Sequence, residues 1–355
     1  MNNKKYVLIT GSSGLVGSEC VEFFINKKFN VIGIDNDYRS FFFGKSASIK
    51  KREKFLAKKY PKYKILNNDI RNFNKTKNIF LKYKNKIKLI IHCAAQPSHD
   101  WASNDPLLDF DINARSTLNL LNLFKNYCPK SSFIFVSTNK VYGDKPNQLP
   151  LVENNSRYEL KKVNQYYKYG IDESLTIDNS IHSFFGVSKT SADLYVQEFG
   201  KNFKLNTVSF RCGCITGENH SGSEAHGFLN YLIKNILKNQ SYKIIGYKGK
   251  QVRDNIHSKD LVNCFWEYYK NPKRGEIYNI GGGRKNSCSI IEIINKLEII
   301  LNMKVKKKYI KFNRTGDHIW WITNTNKFRK DYPKWRIKIN LDQIIKKIIE
   351  KYKIN

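Results

Sequence analysis

Residues 6–17 read Y-V-L-I-T-G-S-S-G-L-V-G, and this stretch decides the fold. A short apolar run, typical of a buried strand, leads into three glycines spaced G-x-x-G-x-x-G, and a helical segment follows. Gly11 permits a tight turn, Gly14 lets the backbone approach a pyrophosphate, and Gly17 lets helix and strand pack closely. Phosphate oxygens then bind the backbone N–H groups at the positive end of the helix dipole. The stretch therefore predicts a dinucleotide-binding β-α-β unit.

A carboxylate at the end of the second predicted strand supports this interpretation. Asp35 lies eighteen residues beyond the third glycine, where a carboxylate accepts hydrogen bonds from the ribose 2′- and 3′-hydroxyls. Because it would repel a 2′-phosphate, it favours NAD, while the nearby Arg39 keeps NADP as an alternative. Asp69-Ile70 after the third strand is a natural place to hold adenine. The small Ala94-Ala95 pair after the fourth strand lets the chain pass beside the cofactor.

Short β-branched or aromatic runs alternate with helical segments over the first two-thirds of the chain. The runs are apolar on both faces, as in a parallel sheet that is covered on both sides. The predicted strands are Tyr6–Thr10, Val31–Asp35, Lys64–Leu66, Lys88–His92, Phe133–Ser137 and Thr207–Phe210. Helices are expected between them, for example Gly14–Lys27 and Asn113–Tyr127. The predicted class is therefore α/β, with a Rossmann-type doubly wound parallel sheet.

The alternation of apolar runs and helical segments changes after about Arg211, where the segments become shorter and mix apolar with polar residues. Helices are still expected, over residues 259–269 and 289–301. We predict a cofactor-binding domain over residues 1–210 and a smaller α/β substrate domain over residues 211–355, with some strands exchanged between the two.

The composition is that of a folded globular protein, with 355 residues, 41% hydrophobic and 14% aromatic. A net charge of +33 would suggest nucleic acid, but the lysines are spread along the whole chain, so no nucleic-acid partner is expected. We expect a cytoplasmic protein with no membrane partner, because no apolar run approaches the roughly 20 residues of a membrane span and no signal-peptide pattern precedes the first strand. Seven unpatterned cysteines indicate reduced thiols, and no metal site is expected.

Further strings extend the pattern along nearly the whole chain. They are I-D-N-D, N-D-I-R, H-C-A-A-Q, S-T-N-K-V-Y-G-D, H-S-F-F-G-V-S-K, G-K-Q-V-R-D-N-I-H, Y-N-I-G-G-G and R-T-G-D-H. With the glycine turn, they resemble the extended short-chain dehydrogenase/reductases, the family of NAD-dependent nucleotide-sugar epimerases and dehydratases. Three strings, S-T-N-K-V-Y-G-D, D-E-S at 172–174 and G-K-Q-V-R-D at 249–254, are similar to those of the branch that epimerises CDP-sugars at C2.

The resemblance implies an activity. Bound NAD would remove hydride from C2 of a nucleotide-diphosphate sugar, with a CDP-sugar favoured, and return it to the opposite face of a transient 2-keto sugar. A homodimer or homotetramer is also implied. A 4-epimerase or a 4,6-dehydratase is an alternative, although a dehydratase would need an acid/base pair directly after Thr138, where Asn139-Lys140 stands.

The resemblance also places the site residues. Thr138 falls at the Ser/Thr position that hydrogen-bonds the reacting oxygen, and Lys189 falls at the lysine that holds the nicotinamide ribose. The expected cofactor-binding residues are Gly11, Ser13, Gly14, Leu15, Val16, Gly17, Asp35, Asn36, Arg39, Asp69, Ile70, Ala94, Ala95, Gln96, Asn113, Ser137 and Lys189. The expected substrate-binding residues are Gln96, His99, Thr138, Asn139, Arg211, His226, Arg253 and Arg314.

Two of these arginines, Arg253 and Arg314, match family positions that clamp the diphosphate, which guanidinium groups bind through paired hydrogen bonds. The H-D-W at 99–101 is either a wall of the sugar pocket or a loop anchored by a buried tryptophan.

The family's catalytic tyrosine is missing. Four residues before Lys189 stands Phe185, and a phenyl ring cannot act as an acid or a base. Three explanations stay open. Another group moves the proton; or Thr138 does so with a water and Lys189 nearby; or the protein binds a nucleotide sugar without turning it over. The other candidate groups are Tyr142, Tyr166, Tyr167, Tyr169 and His182.

Overall fold

The computed structural model describes residues 4–224, 226–314 and 316–354. The strands along the chain are β1 Tyr6–Thr10, β2 Asn30–Asp35, β3 Tyr63–Asn67, β4 Ile87–His92, β5 Ser132–Thr138, β6 Leu151–Glu153, β7 Tyr158–Leu160, β8 Asn206–Cys212, β9 Cys214–Thr216, β10 Tyr242–Ile245, β11 Val252–His257, β12 Glu276–Ile280, β13 Ser287–Ser289, β14 Lys307–Ile310 and β15 Trp320–Trp321. The helices are α1 Leu15–Asn26, α2 Tyr38–Phe43, α3 Lys50–Lys59, α4 Phe73–Tyr83, α5 His99–Asn104, α6 Pro106–Phe110, α7 Ser116–Tyr127, α8 Phe184–Asn202, α9 Phe228–Leu237, α10 Ser258–Lys270, α11 Ile290–Leu301, α12 Asn326–Asp331 and α13 Leu341–Ile354.

The largest sheet has seven strands, in the order β12-β8-β5-β4-β1-β2-β3. The pairs β1–β2, β2–β3, β1–β4 and β4–β5 are parallel. The strand order reverses between β1 and β4, and ligands of open α/β sheets bind beyond the carboxyl ends of the strands at such a point. The predicted Rossmann-type class is confirmed.

All six predicted strands of this sheet are present, and five of them are slightly longer than predicted. The first strand shows why the pattern is informative, because Val7, Leu8 and Ile9 are all completely buried on both faces of the sheet. One predicted helix was placed too early. Residues 111–115 form a π-helical turn and α7 begins only at Ser116. The side chain of Asn113 in this turn is held by hydrogen bonds to the loop after β4, as described below.

The chain forms two compact units rather than two consecutive domains. Unit 1 comprises residues 1–141, 184–211 and 262–278, and unit 2 comprises residues 142–183, 212–261 and 279–355. The expected boundary after residue 210 lies next to the end of one segment of unit 1. The two units are not separated by a single boundary in the sequence, because residues 142–183 belong to unit 2 and residues 262–278 belong to unit 1.

Each unit has its own hydrophobic core. In unit 1 the core includes Leu8, Ile32, Leu120 and Phe133. In unit 2 helix α13 buries residues at helical spacing, Leu341, Ile344, Ile345 and Ile348, against α9 and α11. The smaller sheets of unit 2 are β13-β11-β15 with β9 beside β11, β10-β14, and β6-β7. Among the described residues, no helix combines the length and the apolar character that a membrane crossing requires.

A buried ion pair joins α8 to β8 inside unit 1. The guanidinium of Arg211 contacts the carboxylate of Asp193 at 2.9 Å, and both side chains are at most 5% exposed. The same carboxylate accepts hydrogen bonds from Ser137 at 2.7 Å and Gln197 at 2.8 Å. Asp193 therefore connects the carboxyl end of β5 to the helix that carries Lys189.

Replacing Asp193 with alanine removes the carboxylate that pairs with the buried guanidinium of Arg211. We expect Asp193→Ala to lose about 3–5 kcal/mol of unfolding free energy in urea denaturation, the usual cost of an uncompensated buried charge. Lys304→Ala is the control, because Lys304 is 93% exposed in its pair with Glu298 and such surface pairs contribute about 0–1 kcal/mol. Equal urea midpoints for Asp193→Ala and the wild-type protein would show that the ion pair does not support the fold.

Candidate active site

The glycine turn after β1 has a distinct reason for each glycine. Gly11 has a φ of +66°, and a Cβ there would lie 2.8 Å from the amide nitrogen of Ala94. A Cβ on Gly17 would lie 2.1 Å from the carbonyl oxygen of Gly11. A Cβ on Gly14 would meet only that same oxygen, at an ordinary 3.4 Å. The first and third glycines are therefore required by the fold, whereas the second leaves open space in front of the turn.

This open space lies at the start of a long helix. Gly14 is the N-cap of α1, whose first turn contains no acidic residue and receives no side-chain cap within the described residues. The next two residues, Leu15 and Val16, are only partly buried. Since the first N–H groups of a helix have no partner within it, they are directed at a potential anion here. The turn fits the pyrophosphate of a dinucleotide.

Asp35 is held rigidly at the end of β2. Its carboxylate accepts hydrogen bonds from the backbone N–H groups of Ser13 at 2.9 Å and Asp37 at 3.0 Å. Burial raises the pKa of this carboxyl, and the two backbone hydrogen bonds offset part of the effect. The side chain therefore lies against the glycine turn, as a ribose-binding carboxylate must.

The neighbouring polar residues form a second layer at this edge. The side chain of Asn36 accepts a hydrogen bond from the backbone N–H of Tyr38 at 3.2 Å, and the carboxylate of Asp69 binds the guanidinium of Arg71 at 2.6 Å. Ile70 between them is 7% exposed. Arg39 lies over the ring of Phe43, 4.9 Å from its centroid, and burial lowers its pKa to about 10. These contacts position α2 and the loop after β3 beside Asp35.

The loop after β4 is fixed by residues that we predicted as ligands. Asn113 accepts a hydrogen bond from the backbone N–H of Gln96 and donates to its carbonyl oxygen, both at 3.0 Å. The Gln96 side chain donates to Asp109 at 2.8 Å and accepts from the backbone N–H of Ser98. Gln96 and Asn113 are each 1% exposed. In this structure both side chains shape the loop, while Ala94 and Ala95 remain partly exposed beside the glycine turn.

Thr138 and Lys189 are brought together by β5 and α8. The ammonium of Lys189 donates to the carbonyl oxygen of Val136 at 3.0 Å and lies 4.0 Å from the centroid of the Phe135 ring. Thr138 is two residues further along the same strand, partly exposed, and its hydroxyl accepts a hydrogen bond from the N–H of Lys140 at 3.2 Å. Both side chains therefore lie at the carboxyl end of β5 in unit 1.

The tyrosines offered as substitutes for the missing phenol have other surroundings, and all lie in unit 2. Tyr142 is completely buried and its hydroxyl donates to Asn279 at 2.9 Å. The hydroxyl of Tyr166 lies 3.2 Å from that of Ser174, and Tyr167 lies under the guanidinium of Arg284. Tyr169 is 51% exposed.

The two histidines His182 and His99 lie in different units. His182, also in unit 2, lies with Nδ1 3.2 Å from the carbonyl oxygen of Ser180. His99 is in unit 1, and its ring packs edge-on against Phe185, with 5.0 Å between the centroids. Trp101 anchors this segment, because its indole N–H donates to the carbonyl oxygen of Phe42 at 2.7 Å. The H-D-W segment is therefore the start of a helix fixed by a tryptophan.

The remaining predicted substrate residues fall into both units. The guanidinium of Arg211 forms the buried pair with Asp193 and its side chain is 5% exposed, so its predicted role in substrate binding stays a prediction. Arg253 pairs with Asp317 and is 11% exposed, and Arg314 donates to the carbonyl oxygen of Glu224 at 2.9 Å. His226 contacts His220 at 3.2 Å. Asn139 is 6% exposed next to Thr138. Residue type alone does not show that Arg211 forms a buried ion pair while Arg253 and Arg314 have other partners.

Comparison with known proteins gives one family. A family model described as GDP-mannose 4,6 dehydratase matches residues 8–348. CDP-paratose 2-epimerase of Salmonella typhi is 31% identical over 308 residues, covering 84% of this chain and 86% of the relative. UDP-glucuronate 4-epimerase of Thermodesulfobacterium geofontis is 27% identical over 351 residues, covering 99% and 97%. A crystal structure of UDP-glucuronic acid 4-epimerase from Bacillus cereus, in complex with UDP-glucuronic acid and NAD, superposes with a TM-score of 0.79 at 22% identity, covering 98% and 99%.

Alanine substitutions at the second and third glycines separate ligand binding from folding. Gly17→Ala forces its methyl group into the carbonyl oxygen of Gly11, so we expect a lower melting temperature and weaker dinucleotide binding. Gly14→Ala has room and an ordinary φ of −70°, so its melting temperature should match wild type while its dinucleotide affinity, measured by calorimetric titration with NAD, falls by about tenfold or more. Unchanged affinity in Gly14→Ala would show that phosphate does not bind at this turn.

Proposed function

Because the chain belongs to the family described as GDP-mannose 4,6 dehydratase, a group of extended short-chain dehydrogenase/reductases, we propose that it is an NAD-dependent epimerase of a nucleotide-diphosphate sugar. The observation that carries this proposal is the open glycine turn at the start of α1, with the buried carboxylate of Asp35 held against it. Thr138 and Lys189 lie in the same unit, at the carboxyl end of β5.

The residues of this chain have separable tasks in the proposed reaction. Bound NAD supplies the chemistry of the redox step, as the acceptor and then the donor of one hydride. The glycine turn binds the pyrophosphate, and Asp35 accepts hydrogen bonds from the adenosine ribose. Lys189 holds the nicotinamide ribose, and the hydroxyl of Thr138 hydrogen-bonds the oxygen of the reacting carbon. The cofactor ends as it began, so tight retention of NAD is consistent with the reaction.

For the substrate, we propose CDP-paratose and C2 epimerisation to CDP-tyvelose. Support comes from the 31% identical relative of that name and from the three shared strings described above. Arg253 and Arg314 are the proposed diphosphate ligands, and His99, Asn139 and His226 are proposed to contact the nucleotide sugar. The predicted cytoplasmic location stays a prediction.

A catalytically silent nucleotide-sugar-binding protein is the second candidate. It is favoured by one observation, the phenyl ring of Phe185 at the position of the family's tyrosine, which is 7% exposed and carries no proton to transfer. A 4,6-dehydratase is disfavoured, since Asn139 and Lys140 occupy the place where that reaction needs an acid/base pair.

Denaturing the purified protein and analysing the released small molecules by mass spectrometry tests the cofactor. We expect NAD. Incubation with CDP-paratose should then yield CDP-tyvelose, whereas UDP-glucuronate and dTDP-glucose serve as comparison substrates and should not react. Bound NAD without turnover of any of the three sugars would favour the silent protein, and a chain that neither releases nor binds a dinucleotide would contradict both candidates.

We propose a homodimer because α6 and α8 carry large apolar side chains that are exposed in the single chain. Leu107 is 80% exposed, and Phe110, Phe184 and Val187 are 42%, 54% and 52% exposed. Leu194 and Tyr195 on α8 continue this surface at 44% and 41% exposure. Helices α6 and α8 pack together within unit 1, so these side chains form one candidate interface, which a second copy would cover.

Charges on this helix pair should prevent self-association. We expect the double variant Val187→Glu, Leu194→Glu to elute as a monomer in size-exclusion chromatography with light scattering, while the wild-type protein elutes as a dimer or tetramer. The control Ile299→Glu changes an exposed isoleucine of unit 2, 82% exposed on α11, and should leave the assembly intact. A wild-type protein that is monomeric at all concentrations would contradict the proposed interface.

A further inference from the structure

The proposed epimerisation lacks a proton acceptor at the position where the family carries one. Oxidation of a carbinol requires the hydroxyl proton to leave as the hydride departs, and Phe185 cannot accept it. Among the tyrosines suggested as substitutes, Tyr142 is fully buried and its hydroxyl donates to Asn279. A replacement must lie close to the position of the missing tyrosine hydroxyl, so a group in contact with Phe185 is the first candidate.

One titratable ring packs directly against Phe185. The imidazole of His99 lies 5.0 Å from the phenyl ring, centroid to centroid, at an interplanar angle of 68°. Phe185 is one helical turn before Lys189 on α8, so the two residues share a face of that helix. His99 is partly buried rather than enclosed. The imidazole thus lies beside the position that a tyrosine ring would occupy, with Lys189 next along the same face.

A chain of hydrogen bonds holds the backbone from which His99 projects. Ser98, the N-cap of α5, accepts a hydrogen bond from the N–H of Trp101 and donates its own N–H to Gln96. Gln96 donates to Asp109, which also accepts from Asn113, and Asn113 in turn donates to Ser188, the residue before Lys189. The start of α5 is therefore tied to the helix that carries Phe185 and Lys189. A side chain carried on a backbone that is fixed in this way is suited to proton transfer, which depends on position before pKa.

We infer that His99 takes over the proton transfer of the missing tyrosine, an inference that rests on the proposed epimerase function. Bound NAD would accept the hydride from the sugar carbon, and the proton of the hydroxyl on that same carbon would pass to an unprotonated ring nitrogen of His99, leaving a ketone. When the hydride returns to the other face, the same proton goes back to the oxygen. Imidazole and cofactor both end as they began.

An imidazole suits this role without the assistance that a phenol needs. An unperturbed histidine titrates near pH ~6.5 and a phenol near ~10, so only the phenol requires a neighbouring ammonium to act near neutral pH. Lys189 would then serve to hold the nicotinamide ribose. With phenylalanine at position 185 and His99 packed against its ring, one acid/base group remains beside this position.

The experiment measures turnover of CDP-paratose by the NAD-loaded full chain in four proteins: wild type, His99→Asn, Phe185→Tyr and the double variant His99→Asn, Phe185→Tyr. We expect His99→Asn to lower kcat by about 10²-fold or more, the usual contribution of general acid–base catalysis, with KM changed only a few-fold. The double variant should regain at least about tenfold of that loss, since the restored phenol lies beside Lys189.

Two further readouts do not depend on turnover. Calorimetric titration with NAD and with CDP should give affinities close to wild type in His99→Asn, and its melting temperature should be retained; His99→Gln replaces it if that variant does not fold. Modification of His99 by diethyl pyrocarbonate, read by peptide mass spectrometry, should be slowed by NAD with CDP-paratose. Ser103→Ala is the matched control, because the Ser103 hydroxyl is exposed and donates to the backbone carbonyl oxygen of His99 on the same helix.

Several results would overturn the inference while leaving the proposed function intact. They are a kcat within a few-fold of wild type in His99→Asn, an equal loss in His182→Asn alone, or a wild-type protein that is inert until Phe185→Tyr restores turnover. If neither wild type nor Phe185→Tyr converts any sugar nucleotide, the proposed function fails and the inference fails with it.

Discussion

The rest of unit 1 depends on the close passage of two backbone segments at the carboxyl edge of its sheet. Gly11 turns so near the chain after β4 that a single added carbon would lie 2.8 Å from the backbone of Ala94. Helix α1 then returns against the same turn through Gly17. This contact places the start of the helix, the end of β2 and the loop after β4 around one point. The cofactor half of the site follows from this backbone geometry more than from any individual side chain.

Much of this half could be predicted from local sequence. Glycine spacing reports backbone conformation directly, and runs such as residues 6–10 report burial on both sides, so the sheet and its phosphate turn were recognisable. The contacts within the chain were harder to foresee. Gln96, Asn113 and Arg211 are polar residues beside functional motifs, which favours a ligand role. Their actual partners, such as Asn113 for Gln96 and Asp193 for Arg211, are distant in sequence and become apparent only when the chain is folded.

The residues proposed for the substrate are less predictable because they come from scattered segments of the sequence. Arg253 and Arg314 were proposed from the resemblance, yet their pairing with Asp317 and with the backbone of Glu224 has no local signature. His99 was recognised as a candidate ligand, but its contact with Phe185 was not, since the two are 86 residues apart. That contact changes the interpretation of position 185. The Phe185 ring lacks the tyrosine hydroxyl, but the imidazole of His99 packs directly against it.

The burial of Asp35 couples folding to ligand retention. Enclosure raises the pKa of its carboxyl, so the ionised form, which predominates well above that pKa, opposes folding under those conditions. Two ribose hydroxyls that donate to the same oxygens would lower the pKa again and remove this opposition. The dinucleotide would thus act as a structural component as well as a reagent, stabilising the folded chain by mass action. In a reaction that regenerates the cofactor in every cycle, the dinucleotide would then stay bound between turnovers.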